Sequence, residues 1–295
     1  MTTKSKEKSS ADSTQNGFSL ISNEKLLELY AAMLRCRMVE EQARLLTKRA
    51  RRGAKNPVTV GCEAAAAGVL LDLRAEDALA AGPGDVASAF VKGVPLRALI
   101  AGLSAAPFEV CEPRNVLPPC AEQATRLALA TGVALAAKQR KNGALAVVFY
   151  DGLADTPEPW QETMRFAGLH ALPILYVCWN KRPERELYLE AEQWGFPGIA
   201  VDGHDVVGVY RVASEAIAHA RRGNGPTLIE CKTGFPAGYG GGLFAGASDA
   251  IRNMEAYLAG KGLFNGSQKR KVIAAFSREL AAASRQNRKP ARSQR

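Results

Sequence analysis

Apolar residues run unbroken over Leu145–Tyr150 and again over Pro173–Cys178, and the stretch Glu158–Leu169 between them reads as helical. Short β-branched and aromatic runs without alternation are strands covered on both faces. Two such strands joined through a helix make a right-handed βαβ unit, whose ligands sit outside the carboxyl ends of the strands. Those ends are Asp151-Gly152 and Asn180-Lys181. Further along, Ile199–Val201 and Thr227–Cys231 read as two more short strands. The amphipathic stretch Val206–Arg222 lies between them, and Gly223-Asn224-Gly225-Pro226 stops it. Upstream, Ser22 is the expected N-cap of a long amphipathic helix running towards Arg52, with Leu26, Leu29, Tyr30, Met33 and Leu34 on one stripe. Ala64–Gly68 suits a tightly packed helix, Ala80–Asp85 is a loop, and 103–117 is irregular, broken by prolines. Ala121–Lys138 is apolar nearly all round and is expected inside. Lys181–Trp194 is charged and helix-prone. Strands alternating with helices, with no hairpin signal, predict an α/β fold: a doubly wound parallel sheet with helices on both faces.

At 295 residues and 47% hydrophobic, the chain can bury one large core. The expected organisation is a disordered polar terminus over 1–16, a single α/β domain over 17–264 and a basic tail over 265–295. The net charge of +10 is concentrated in that tail and in the run Lys48–Lys55. Such a tail reads as a solvated or partner-facing segment ahead of a nucleic-acid-binding one. No apolar stretch has the length of a membrane span and no secretory h-region is visible, so the expected location is cytoplasmic. The six cysteines are scattered, as reduced buried thiols are, and three histidines without ligand spacing argue against zinc.

Asp151-Gly152 has two readings: a capping turn at the end of a strand, or an oxygen ligand at the ligand-binding rim. Asn180 likewise is a turn residue or an amide ligand. His204, in Asp202-Gly203-His204-Asp205, reads as a turn residue, and His170 and His219 as ordinary half-buried helix residues. Gly238–Gly242 fails the dinucleotide pattern because Leu243 stands where glycine is needed.

A set of short motifs, in order, carries a resemblance. These are Leu29-Tyr30, Met33, Arg37 and Glu40-Glu41; Gly61, Glu63-Ala64, Gly68 and Asp77; Lys92-Gly93-Val94; and Gly132–Ala136. They continue with Asp151-Gly152, Glu162, Phe166-Ala167, Leu172-Pro173 and Asn180; Val201-Asp202-Gly203, Asp205 and Tyr210; Gly225–Glu230; and Tyr257-Leu258. Together, over roughly Glu24–Leu263, they resemble the alpha subunit of the thiamine diphosphate-dependent decarboxylating dehydrogenase of 2-oxo acid complexes, of the pyruvate and branched-chain types. The resemblance implies thiamine diphosphate and Mg²⁺ as cofactors, with Asp151, Gly152, Asn180 and Lys181 at the cofactor and Asp151 and Asn180 as metal ligands. Mg²⁺ takes hard oxygen ligands, which a carboxylate and an amide oxygen provide. It also implies a beta-type subunit carrying the activating glutamate, or a homo-oligomer, with a lipoyl acyltransferase as a further partner.

The departures from the family pattern are specific. The first Gly of Gly-Asp-Gly is Tyr150, and the Tyr-Arg pair that grips the diphosphate, with the following His, falls on Pro83, Gly84 and Val86. A loop is deleted between Leu103 and Glu122, and the pair framing the aminopyrimidine falls on Glu122-Gln123. The later Tyr-Arg and Gly-His-Ser fall on Gly234-Phe235 and Gly238-Tyr239-Gly240, and the second metal-binding Asn on Lys181. Two expectations follow: an alpha-type subunit active in oxidative decarboxylation with acyl transfer to lipoamide, or a catalytically impaired relative serving as scaffold or regulator. An ammonium has no lone pair for a metal, so Lys181 is expected to act as an internal cation paired with Asp151.

Overall fold

Five parallel strands form one sheet in a computed structural model that describes residues 21–49, 61–104, 115–152, 158–180, 186–233 and 249–288. The chain begins with helices α1 (Asn23–Arg49) and α2 (Glu63–Leu70), strand β1 (Ala78–Ala80), and helices α3 (Val86–Val91), α4 (Leu96–Ser104) and α5 (Gln123–Arg140). It continues through β2 (Ala146–Asp151), α6 (Glu158–Leu169), β3 (Ile174–Asn180), α7 (Leu187–Glu190) and a 3₁₀ turn over Ala191–Trp194. Then come β4 (Gly198–Asp202), α8 (Val206–Arg221), β5 (Thr227–Lys232), α9 (Ala250–Gly260) and α10 (Gly266–Arg288). The strand order is β1-β2-β3-β5-β4.

The doubly wound expectation holds, and the pleat shows why. Along β2, Val147 and Phe149 enter one core with Val69, Val209 and Phe276, while Val148 and Tyr150 enter the other with Leu127, Trp160 and Met164. Both faces of each strand are therefore covered, which is what the unbroken apolar runs require. From β2 to β3 the chain moves one way across the sheet through α6; from β4 to β5 it moves back through α8, on the opposite face. Right-handed crossovers place the helices in that way. Helix α2 meets α8 so closely that a Cβ on Gly68 would stand 2.7 Å from Val209 Cγ1, in keeping with the small-residue stretch read from the sequence. Ser22 caps α1 by accepting from the Lys25 N–H at 3.2 Å.

Several elements differ from expectation. Strand β1 has no counterpart in the sequence reading; it has three residues, all buried, too few and too small for an apolar-run signal, and the expected loop begins one residue later than read, at Ala81. Asp77 ahead of it is fully buried and ion-paired with Arg221 at 2.6 Å. Helix α5 is not enclosed all round: Arg126, Leu127, Ala130, Thr131 and Ala134 are buried, while Leu129 remains half exposed. The span Lys181–Trp194 yields only the short α7 and the 3₁₀ turn among its described residues, because Leu187, Ala191 and Trp194 turn into the core and Gly195, at φ 86°, ends the run. Where the sequence reads as a basic tail, α10 packs Phe276 into the core at 1% exposure, its ring 5.3 Å from that of Phe90. No helix among the described residues is long and apolar enough to cross a membrane.

Candidate functional site

The carboxyl ends of the parallel strands share one rim, and the start of α5 leans over it. Glu122 caps α5 by accepting from the N–H groups of Ala124 and Thr125, which fixes the first turn of the helix. From that turn, Gln123 Oε1 accepts the Asp151 N–H at 2.7 Å. The end of β2 is thereby tied to α5, with Asp151 half-buried. Gly152 follows, buried, its N–H donating to the Trp179 carbonyl at 3.2 Å. A Cβ at Gly152 would stand 3.0 Å from Cys178 Sγ and 3.1 Å from Leu187 Cδ1, so the backbone passes β3 where a side chain would press on its neighbours. A narrow crevice of about 10 Å³, room for a single water, lies here, lined by Gln123, Leu127, Tyr150, Asp151, Gly152, Trp160 and Leu187.

At the end of β3, Asn180 is 2% exposed and donates through Nδ2 to Glu230 Oε1 at 2.6 Å. Glu230, fully buried on β5, also accepts the Tyr188 N–H at 2.8 Å through its other oxygen. In register, Asp151 stands opposite Trp179, and Asn180 stands opposite Lys232. Strand alternation sends residues 179 and 180 to opposite faces. The Asn180 amide is thus on the side of Cys178 and Glu230. Lys181 lies outside the described residues, as do Gly234-Phe235 and Gly238–Gly242. Among the described residues no group of three or more His, Cys, Asp or Glu could hold a metal.

Three polar groups under the rim are informative. Burial pushes the Tyr150 phenol and the Cys178 thiol well above their ordinary values, so neither is ionised near neutrality. Burial also raises the Asp85 carboxyl to about 6, although its Oδ1 accepts the Ser88 N–H at 3.0 Å and caps α3. Arg126 enters from α5, 6% exposed, with Nε donating to the Phe149 carbonyl at 3.0 Å and Nη1 to that of Cys120 at 2.5 Å. Sequence reading passed over Arg126 and took Glu230 only as the end of the Gly225–Glu230 motif. The signal was there: each is a charged residue on an otherwise apolar buried stripe. His204 is buried in the turn before α8, its N–H donating to Asp202 Oδ1 at 2.9 Å, away from the Asp151 crevice lining. His219 is half-buried as expected, whereas His170 is exposed.

The family model described as "Dehydrogenase E1 component" matches residues 30–234, from the first helix to just past β5. This chain belongs to the dehydrogenase E1 component family. Among similar proteins, the chloroplastic pyruvate dehydrogenase E1 component subunit alpha-3 of Oryza sativa subsp. japonica is 31% identical over 247 residues, covering 73% of this chain and 58% of the relative. Its counterpart in Arabidopsis thaliana is 30% identical over 250 residues, covering 75% and 58%. The pyruvate dehydrogenase E1 component subunit alpha of Staphylococcus aureus strain Mu50 is 28% identical over 293 residues, covering 89% and 78%. The E1-family chain thus spans 58% of the length of each plant relative, less than two thirds. The matched span of the E1 model contains the whole rim: the ends of β1 to β5 and the first turn of α5.

Proposed function

We propose that this chain is the alpha-type half of a 2-oxo acid dehydrogenase E1 component, working with a beta-type subunit in oxidative decarboxylation and acyl transfer to lipoamide. The observation that carries the reading is the tied end of β2: an Asp-Gly corner held by Gln123 at the carboxyl rim of the sheet, in a chain of the E1 family. Thiamine diphosphate is the proposed cofactor, and when bound it supplies the nucleophilic carbon and electron sink for decarboxylation. Gly152 lets the backbone run close beside β3, and Gln123 fixes the corner against α5. Leu127, Trp160 and Leu187 make the wall dry, which strengthens any charge interaction formed inside. Asp151 is the carboxylate that would hold Mg²⁺; Asn180 is the second proposed ligand, with its Nδ2 already donating to Glu230. Lys181, which stands where the family has its second metal-binding Asn, is proposed as an internal cation facing Asp151. The five described cysteines are free, which suits the cytoplasmic setting proposed for the assembly.

One observation favours a second reading. The Asn180 amide is engaged with Glu230, and Tyr150 fills the place of a glycine, so the chain also fits a catalytically impaired relative that keeps the fold and the subunit interface. Calorimetry separates the two. Thiamine diphosphate is titrated into the full-length chain with its co-purified partner, with Mg²⁺ and with EDTA. The first reading expects saturable binding in Mg²⁺; binding that survives EDTA would place a protein cation, Lys181, in the ion's role. Binding abolished by EDTA would show that Asp151 and Asn180 do hold the ion. No binding under either condition overturns the cofactor assignment and leaves the impaired relative.

A further inference from the structure

We propose that Arg126 is the anion anchor of this rim: its guanidinium receives the diphosphate end of the cofactor, replacing the Tyr-Arg pair whose positions fall on Pro83 and Gly84. The proposal rests on the cofactor reading above and gives it a residue that the family pattern does not supply.

Arg126 is a buried cation that forms no ion pair among the described residues. Its two hydrogen bonds go to neutral acceptors, the carbonyls of Phe149 and Cys120. Among the described residues no acceptor faces Nη2. Asp85, Glu122 and Asp151 act on the guanidinium through space, yet none forms an ion pair with it. One oxygen of Asp85 caps α3, and both oxygens of Glu122 cap α5. Buried charges in proteins are paired or bound to an ion. An arginine cannot escape by losing its proton, so the missing partner here is an anion.

Its place in the fold fits a ligand. The guanidinium lies between the end of β2, through the Phe149 carbonyl, and the corner after β1. There Asp85 donates its N–H to the Gly82 carbonyl at 3.1 Å, and a Cβ on Gly82 would stand 3.3 Å from Arg126 Nη1. Gly82 packs against the guanidinium at a point where a side chain would crowd it. The crevice outside the carboxyl ends of adjacent parallel strands is where α/β sheets take ligands. With Nε and Nη1 held on carbonyls, Nη2 is left among the described residues to take a phosphate oxygen. A purely structural arginine, pinning α5 to β2, would need only the two carbonyl bonds.

The test uses the full-length protein titrated with inorganic diphosphate, thiamine diphosphate and thiamine, alongside Arg126→Gln and Arg126→Lys, each checked for native circular dichroism. Both diphosphates should bind the unmodified protein, with thiamine weaker than either. Arg126→Gln should weaken both by about tenfold or more, the size of a lost charge-assisted hydrogen bond. Arg126→Lys keeps the buried charge without the fork and should fall between; it carries the test if the Gln variant does not fold. Diphosphate affinity unchanged in the Lys variant and in a folded Gln variant overturns the anchor, while the cofactor reading stands if thiamine diphosphate still binds. Arg126-dependent binding of inorganic diphosphate without binding of thiamine diphosphate keeps the anchor and overturns the cofactor reading. Binding of neither overturns both.

Discussion

Asp85 caps α3 with one oxygen while its other oxygen is buried without a hydrogen-bond partner. Its folded-state value of about 6 lies above the ordinary 3.8, so the folded chain holds this proton more tightly than the unfolded chain. Stability from this group therefore falls as pH rises from about 4 to 6, and above that the carboxylate costs about 3 kcal/mol relative to its protonated form. Asp85→Asn keeps the cap and removes the charge. Urea unfolding should show the variant more stable at pH 7, by up to about 3 kcal/mol, with the difference vanishing below pH 4. A variant less stable at pH 7 would mean that attraction to Arg126 outweighs desolvation. At this scale the sequence shows Asp151 and Asn180 at strand ends, because a strand end is visible where an apolar run stops. It does not show that Glu230 holds Asn180, because that bond joins two strands whose neighbourhood depends on the order of the sheet.

Helix α10 carries a stripe of Val272, Ile273, Phe276 and Leu280 within a stretch whose charge reads as a basic tail. Packing decides otherwise: Phe276 sits in the main core, and Arg35 lies 6.0 Å over its ring. Phe276→Ala should cost about 3–5 kcal/mol in chemical denaturation, as large-to-small changes in a core do. Deleting Arg285–Arg295 should leave the melting temperature within error, because Phe276 and Leu280 remain; a loss of several degrees would show that the last turn docks too. Helix α5 teaches the converse. Its composition is apolar nearly all round, yet in one chain only one face is covered, and composition alone does not tell core from interface.

The layered α/β architecture was legible because buried parallel strands have a distinctive texture, whereas β1 was not, since its place depends on pairing with β2. The outer layer of α5, α6 and α7 leaves Leu129, Phe166, Leu169 and Leu189 exposed, apolar surface of the kind that a partner covers. Light scattering of the native protein should report a dimer or an assembly with a beta-type subunit, and Leu129→Glu should weaken association without lowering helix content. A well-folded monomer of 31.5 kDa at micromolar concentration would count against the assembly. The strand order has a consequence for how the chain is made. Among the described residues β4 pairs only with β5, and β5 wedges between β3 and β4. On a ribosome, β4 therefore emerges with no neighbour to bond and waits through the whole of α8. The sheet closes late, by long-range pairing, which is slow to form and leaves an edge open meanwhile. Translation must run past Lys232 before β4 and the facing edge of β3 have β5 to pair with.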